Sequence, residues 1–516
     1  MSFLLTLIQA VGLGCASAAA GRRVMHYLQL ESYQLPGYIK SVKRNAMRAL
    51  IPPIAMAAVG VAALKVSGLF GLALLLEALT AALLAWQAAK EKAKKPFVAT
   101  ERVKRLTAVH AAVNTVLALI LLLISPTLGY LMPAFEPALL MLAAVVAAPM
   151  EKHIAGQFVK DAQARLAAQP NLIKIGITGS YGKTSTKFLL RDILSVKYNV
   201  LATPSSFNTT MGVTRVIREQ LTPAHQVFIA EMGARHVGDI RELVELVHPQ
   251  MGLITSVGPQ HLDTFGTIER VRDTKYELID GLPKDGTAIF ARDGAICEEL
   301  FDRCPLEKKY KTGMLVDAKD MACGPWGTRF TLVDIQTGEE ANCQTRLLGE
   351  HSISNLLLCC TAARALGMTL PEIALGVSHC QPVEHRLELL DGGAGVSIID
   401  DAFNANPVGA QCALRVIKAF PGRRIIITPG MVELGGKEDE FNRTFGKQMA
   451  DSVDIAILVG RKHTQPIVEG LKEAGFPQEN TYVVGSLEES TTLLHSMMRA
   501  GDVVLYENDL PDNYSE

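Results

Sequence analysis

The stretch "TGSYGKTS", residues 178–185, sets two glycines, a lysine and a threonine at the spacing of a phosphate loop. Backbone N–H groups of a glycine turn at a helix N-terminus attract an anion without help from side chains. Gly179 and Gly182 permit the turn and Ser180 and Tyr181 fill it. Lys183 is long enough to span the β- and γ-phosphates of a nucleotide, and Thr184, followed by Ser185, offers a hydroxyl to Mg²⁺. The loop is two residues shorter than G-x-x-x-x-G-K-[ST]. A chance glycine turn with an incidental lysine is the competing reading. Context opposes it, because the apolar run "NLIKIGITG" precedes the loop and the amphipathic "KTSTKFLLRDILSVK" follows it.

Phosphoryl transfer also requires metal ligands and positive charge near the terminal phosphate. Glu231 ends the apolar run "VFIAE", His261 and Asp263 follow "LITSVGPQ", and Lys275 lies on the next helical stretch. Mg²⁺ favours oxygen, so Glu231 is the natural ligand and His261 the unusual one. Alone, His261 reads as a surface-loop histidine. Its place after a strand, in the unit that holds the glycine loop, makes it a ligand candidate.

The elements that must position these residues alternate. Apolar strand candidates recur at 226–233, 251–258 and 287–293, separated by helical stretches, which argues a mainly parallel sheet with helices on both faces. A second series begins near 390 with "GVSIIDDAF", "RRIIITPGM", "DIAILVG", "NTYVVG" and "DVVLYEND". The expected fold is α-helical membrane domain first and α/β thereafter. The domains expected are 1–150, a five-helix membrane domain; 151–171, an amphipathic linker helix; 172–385, a central ATP-binding domain; and 386–516, a Rossmann-like domain.

The membrane expectation rests on five apolar runs, about 3–20, 48–66, 68–88, 106–124 and 130–150, each near the roughly 20 residues that cross a bilayer. Arg22, Arg23, Lys40, Lys43, Arg44 and Arg48 lie between the first two runs. Lys90, Lys92, Lys94, Lys95, Arg102, Lys104 and Arg105 lie between the third and fourth. The positive-inside rule puts both basic loops, and everything after 150, in the cytoplasm. A signal peptide at 3–20 is the rival, but positive charge follows that run instead of preceding it. Glu77 falls within the third run, either as a functional acid or as the partner of Asn114 or His110. Residues 151–171 place Ile154, Phe158, Ala162 and Leu166 at helical spacing, as in a helix lying on the membrane. With 51 basic and 52 acidic residues, nothing draws the chain to nucleic acid. Nine cysteines without a C-x-x-C pair fit buried thiols in a reducing compartment.

Taken in order, these motifs resemble the Mur ligases, most closely the branch that adds D-alanyl-D-alanine to a peptidoglycan precursor. The resemblance is carried by "TGSYGKT" (178–184), "TPSSFNTTMG" (203–212), "EMG" with Glu231, "TSVGPQHLDTFG" with His261, and "VRDTKYELI" with Lys275. "GEHSISN", "EHRLE", "DDAFNANP" and "GMVELG" extend it over about 172–516. It accounts for the short loop, which family members share. It implies ATP contacts by Gly179, Ser180, Tyr181, Gly182, Lys183, Thr184, Ser185, Asn355, Arg386 and Asp401. Substrate contacts are implied for Asn208, Asn404, Asn406 and Glu433. Two Mg²⁺ ions are implied on Thr184, Glu231, His261 and Lys275, the last as a carbamate, with Lys183, Lys275 and His261 as the catalytic group. Three positions depart from the family pattern: Ser352 stands for an asparagine, which leaves adenine contact to Asn355; Thr209 stands for another asparagine, and Phe403 for a tyrosine. The larger departure is at the front, where family members carry a soluble domain for a uridine-diphosphate sugar.

The implied reaction is ATP-dependent amide formation through an acyl phosphate, joining an amino acid or dipeptide to a cell-envelope precursor. The membrane runs suggest a lipid-linked acceptor and a multi-pass place in the cytoplasmic membrane. A polyglutamate-type ligase and an ATP-driven transporter are the alternatives. The transporter is opposed by the lack of a second nucleotide motif.

Overall fold

A computed structural model describes residues 3–91, 96–204, 207–260, 262–324, 326–402, 406–432, 434–461 and 463–509. The chain forms two compact units, Met1–Gln157 and Phe158–Glu516.

The first unit is helical. Among the described residues, five helical segments are long and apolar enough to cross a membrane: Phe3–Ala20, Ala46–Ser67, Phe70–Lys90, Glu101–Ile124 and Pro126–Ala167. Gly68, left-handed at φ 67°, ends the second, and Thr100 caps the fourth by accepting the Val103 N–H at 3.3 Å. The fifth is interrupted by a 3₁₀ turn over Met132–Phe135, with Pro133 inside it and Pro137 just after it. Proline removes a backbone donor and clashes one turn back, which accounts for the break. The basic stretch after the first of these helices folds into two short ones, Arg22–Leu30 and Leu35–Arg44.

Two expectations change here. The amphipathic stretch 151–171 is no separate helix; Glu136–Ala167 runs through Pro149 and past 150 as one helix. Within the second unit its apolar face packs on protein, Ala162 and Leu166 joining the sheet core and Phe158 lying under the Arg218 guanidinium at 4.2 Å. Glu77 pairs with neither Asn114 nor His110. Those two bond each other at 3.2 Å, and His110 lies 3.0 Å from Glu136, which also accepts the Ser17 hydroxyl. Glu77 is fully buried, and neither of its oxygens has a partner among the described residues.

The second unit holds two six-stranded sheets and one of three strands. The first runs β2-β3-β1-β4-β5-β6, all parallel, with β1 Ile173–Thr178, β2 Val200–Ala202, β3 Val227–Glu231, β4 Met251–Ile254, β5 Thr287–Phe290 and β6 Lys308–Lys311. Its strands are apolar on both faces. Val227 and Ile229 face one core cluster and Phe228 and Ala230 the other, as buried parallel strands require. An antiparallel sheet of β7 Val316–Gly324, β8 Gly327–Asp334 and β9 Glu340–Thr345 follows, an element the apolar-run reading did not contain. The last sheet runs β10-β11-β15-β12-β13-β14, with β10 Glu388–Asp391, β11 Ser397–Asp401, β12 Arg424–Thr428, β13 Ile455–Val459, β14 Thr481–Val484 and β15 Val503–Glu507. Only its edge strand β10 is antiparallel.

Candidate active site

The C-terminal ends of β1, β3 and β4 meet where open parallel sheets present their ligand sites. After β1 the chain turns through Gly179 (φ 151°) and Gly182 (φ 78°) into the helix Lys183–Leu194. A β-carbon on Gly179 would stand 1.9 Å from Thr255 Oγ1, and one on Gly182 would stand 2.7 Å from Asn355 Oδ1. Neither position tolerates a side chain, and Gly182 also needs the left-handed backbone.

The segment after β4 braces the short loop. Ser180 N–H donates to Ser256 O at 2.7 Å, and its hydroxyl donates to Gly258 O at 2.9 Å. Thr255 Oγ1 donates to Tyr181 O at 2.5 Å, and the Tyr181 hydroxyl donates to Pro259 O at 3.0 Å. Ser180 and Tyr181, expected as nucleotide contacts, thus commit these groups to holding the loop's shape. Lys183 Nζ donates to Gly179 O at 2.7 Å and Ser180 O at 2.9 Å. Burial lowers its pKa to about 8, against the pull of Glu231 and with the help of Arg386. Thr184 and Ser185 lie in the first helical turn, whose N–H groups have no intrahelical acceptor.

Glu231, at the end of β3 and 1% exposed, is held on both oxygens. Oε1 accepts Thr184 Oγ1 at 3.1 Å and Asn208 Nδ2 at 3.0 Å; Oε2 accepts Lys187 Nζ at 2.9 Å. The Glu231 N–H donates to Thr203 Oγ1 at 3.2 Å. Thr203 and Asn208 of "TPSSFN" therefore both serve Glu231, and the side chain of Asn208, expected as a substrate contact, bonds this carboxylate. Lys187, fully buried, escaped the sequence reading. Its signal was its position one turn beyond Lys183 on the loop's own helix.

Lys275, on the helix Ile268–Asp280, is 2% exposed, and no described carboxylate lies within ion-pair distance of it. Burial, then the charge of Lys183, push its pKa well below that of an ordinary lysine, with Asp239 and Glu277 opposing. Arg386 comes from the segment before β10. His385 (φ 59°) and Leu387 (φ 48°) flank it in left-handed conformations that cost of order 1–2 kcal/mol each. Contacts to β11 hold this turn: His385 Nδ1 lies 2.7 Å from Asp400 Oδ2, and Leu387 N–H donates to Asp401 Oδ1 at 3.1 Å. Burial lowers the Arg386 pKa, opposed by Asp401 and Glu231. The guanidinium therefore links the second sheet to the phosphate loop.

Asn355 lies with the loop, its Oδ1 accepting Thr186 Oγ1 at 3.3 Å. Asn406 caps the helix Pro407–Lys418, accepting Gly409 N–H at 3.0 Å, and Thr209 caps Thr210–Gln220. The Ser352 hydroxyl is turned to Leu348 O at 2.7 Å. His261, Asn404 and Glu433 lie outside the described residues. Lys183, Lys187 and Arg386 thus gather round Glu231, with Lys275 within reach of the Lys183 charge, a cationic basin suited to a polyphosphate. The Glu231 carboxylate and Thr184 hydroxyl are the hard oxygen donors that Mg²⁺ takes beside phosphate oxygens, so these residues fit the ion.

Two family models match the second unit: the Mur ligase middle domain over 177–363, and the Mur ligase, glutamate ligase domain over 385–506. The UDP-N-acetylmuramoyl-tripeptide--D-alanyl-D-alanine ligase of Bacillus subtilis is 30% identical over 292 residues, 56% of this chain and 62% of that protein. The chain thus spans somewhat under two thirds of that relative's length. The Mycobacterium bovis protein of the same name is 31% identical over 364 residues, 64% of this chain and 69% of its own length. Among solved structures, MurF from Acinetobacter baumannii superposes with a TM-score of 0.62 at 24% identity, covering 70% of this chain and 78% of that one. MurF from Thermotoga maritima in complex with ADP gives 0.61 at 23% identity, covering 69% and 80%. With its glycine loop, braced glutamate and mainly parallel last sheet all in place, this chain belongs to the Mur ligase family.

Proposed function

We propose that this protein is an ATP-dependent ligase that joins a carboxylate to an amine in peptidoglycan precursor synthesis. The observation that carries this reading is Glu231, held 3.1 Å from Thr184 beside the loop lysine, with Arg386 brought from the second sheet. A carboxylate is a poor acyl donor, and phosphorylation gives it a leaving group. A carboxylate oxygen of the acceptor attacks the γ-phosphorus of ATP and ADP departs. The amine nitrogen then attacks the acyl carbon, phosphate leaves with that oxygen, and the amine proton passes to solvent.

In this mechanism Lys183 and the first-turn N–H groups hold the phosphates, and Arg386 neutralises charge as it shifts to the leaving ADP. Thr184 and Glu231 would hold one Mg²⁺, with Lys187 fixing the Glu231 rotamer, while His261 and a carbamylated Lys275 would serve a second. Magnesium supplies charge neutralisation at the transferring phosphoryl group. A buried lysine with depressed basicity supports the carbamate, since only the neutral amine adds to carbon dioxide. Closure of the second sheet over the loop excludes water that would hydrolyse the acyl phosphate.

The relatives are named for a UDP-muramoyl tripeptide and D-alanyl-D-alanine, and the same chemistry is proposed here: a peptide carboxylate and a dipeptide amine. Five helices of membrane-crossing length, with basic loops after the first and third, support a multi-pass place in the cytoplasmic membrane with the sheets in the cytoplasm. That placement favours a lipid-linked acceptor over a soluble nucleotide. The test is phosphate release by the full chain in lipid nanodiscs. Release that needs both a muramoyl-peptide acceptor and an amine supports the ligase; release independent of both rejects it.

A further inference from the structure

In the register of the second sheet, Asp401 at the end of β11 stands opposite Glu507 at the end of β15. Glu507 is 1% exposed, and neither of its oxygens has a hydrogen-bond donor among the described residues. Asp401 is better supplied. It accepts the Leu387 N–H and feels the positive charge of Arg386. The other titratable groups facing the pair are Asp400 on the same strand and Cys412 from the helix Pro407–Lys418. Two ionised carboxylates against one guanidinium would leave a net buried charge of −1. One proton kept between them makes the triad neutral, and low-dielectric surroundings favour that state strongly. Burial, with the neighbouring Asp401, raises the Glu507 pKa well above the usual carboxylate range. Asp401 rises to about 6, so it ionises first and the proton stays on Glu507.

We propose that Glu507, kept as the neutral acid, donates its O–H to Asp401 and so positions Arg386 for the nucleotide phosphates. Arg386 needs such a hold, because the two left-handed residues beside it strain the turn that presents it. Glu507 touches no reacting atom. It is a positioning residue, and the inference rests on the ATP site proposed above.

The experiment is the dissociation constant of Mg²⁺–ATP for the full-length protein in nanodiscs, measured from pH 5 to 8 without acceptor or amine. In the wild type, affinity is expected to fall as pH drops through about 6, where Asp401 takes up a proton. Glu507→Gln retains a donor and is expected to keep that limb. Glu507→Leu retains none. Losing a hydrogen bond to the ionised form raises the Asp401 pKa, so the limb moves to higher pH and affinity near pH 7 drops roughly tenfold. Glu507→Met replaces the leucine variant should that one fail to fold. Asp401→Asn is expected to reduce the limb to the part due to protonation of ATP, common to all the proteins, and assigns the remainder to this carboxylate. Identical limbs in the glutamine and leucine variants, or a limb in Asp401→Asn as large as that of the wild type, would overturn the proposal. A wild type that binds no ATP at any pH would reject the ATP site itself.

Discussion

Glu231 and Lys187 form a fully buried ion pair, and Lys183, one turn away, does not share it. Removing one member of a buried pair leaves an uncompensated charge, at about 3–5 kcal/mol. Lys187→Met is therefore expected to lower unfolding free energy by that much, while Lys183→Met, whose ammonium donates to loop carbonyls, lowers it by roughly 1 kcal/mol and loses turnover. Denaturant titration compares them; equal losses would contradict the division of labour. Lys275→Ala is expected to abolish turnover and leave the unfolding midpoint little changed, read by kinetics and thermal scans together. Lys183 also sets a pH limit. Its depressed pKa means the charge is complete below about 8 and is lost as pH rises through that value, so ATP affinity of the free protein should fall above it. The sequence made Lys183, Thr184 and Glu231 readable because a loop and a strand end announce them. It could not mark Lys187, since a lysine on an amphipathic helix is as often solvated as buried.

At the scale of elements, the glycine loop is a rigid turn wedged between Thr255 and Asn355. Gly182→Ala is expected to destabilise by about 1–2 kcal/mol from the left-handed backbone alone, and to lose ATP binding as the β-carbon displaces Asn355. Chemical unfolding and nucleotide titration check the two halves separately. The strands at 173–178, 227–231, 251–254 and 287–290 were readable as unbroken apolar runs because both faces of a parallel sheet are covered. The antiparallel β7–β9 sheet was missed because its strands are half exposed. From Thr328 on, alternate residues of β8 such as Phe330 and Leu332 are buried, and "GTRFTLVD" holds no long apolar run. The helix Glu136–Ala167 merged two expected elements, since a change from lipid-type to amphipathic composition does not itself stop a helix.

For the whole molecule, the account joins a Mur ligase unit to five helices of membrane-crossing length. The proposed topology rests on loop charge alone, so it can be tested apart from catalysis. In a cysteine-depleted background, Ser125→Cys is expected to react with an impermeant maleimide in intact cells, and Thr100→Cys only after permeabilisation. The reverse pattern would place the phosphate loop where no cytoplasmic ATP reaches it. The motifs of the second unit identified its family from residues alone. The first unit was readable only as crossings, because its buried polar contacts, such as His110 with Glu136, join residues far apart in the chain. The central claim is that this site activates a carboxylate by phosphorylation. The most direct measurement uses an acceptor labelled with ¹⁸O in its carboxylate, turned over by the full-length protein with ATP and a dipeptide. The account predicts one ¹⁸O in each phosphate released; amide product accompanied by unlabelled phosphate would contradict it.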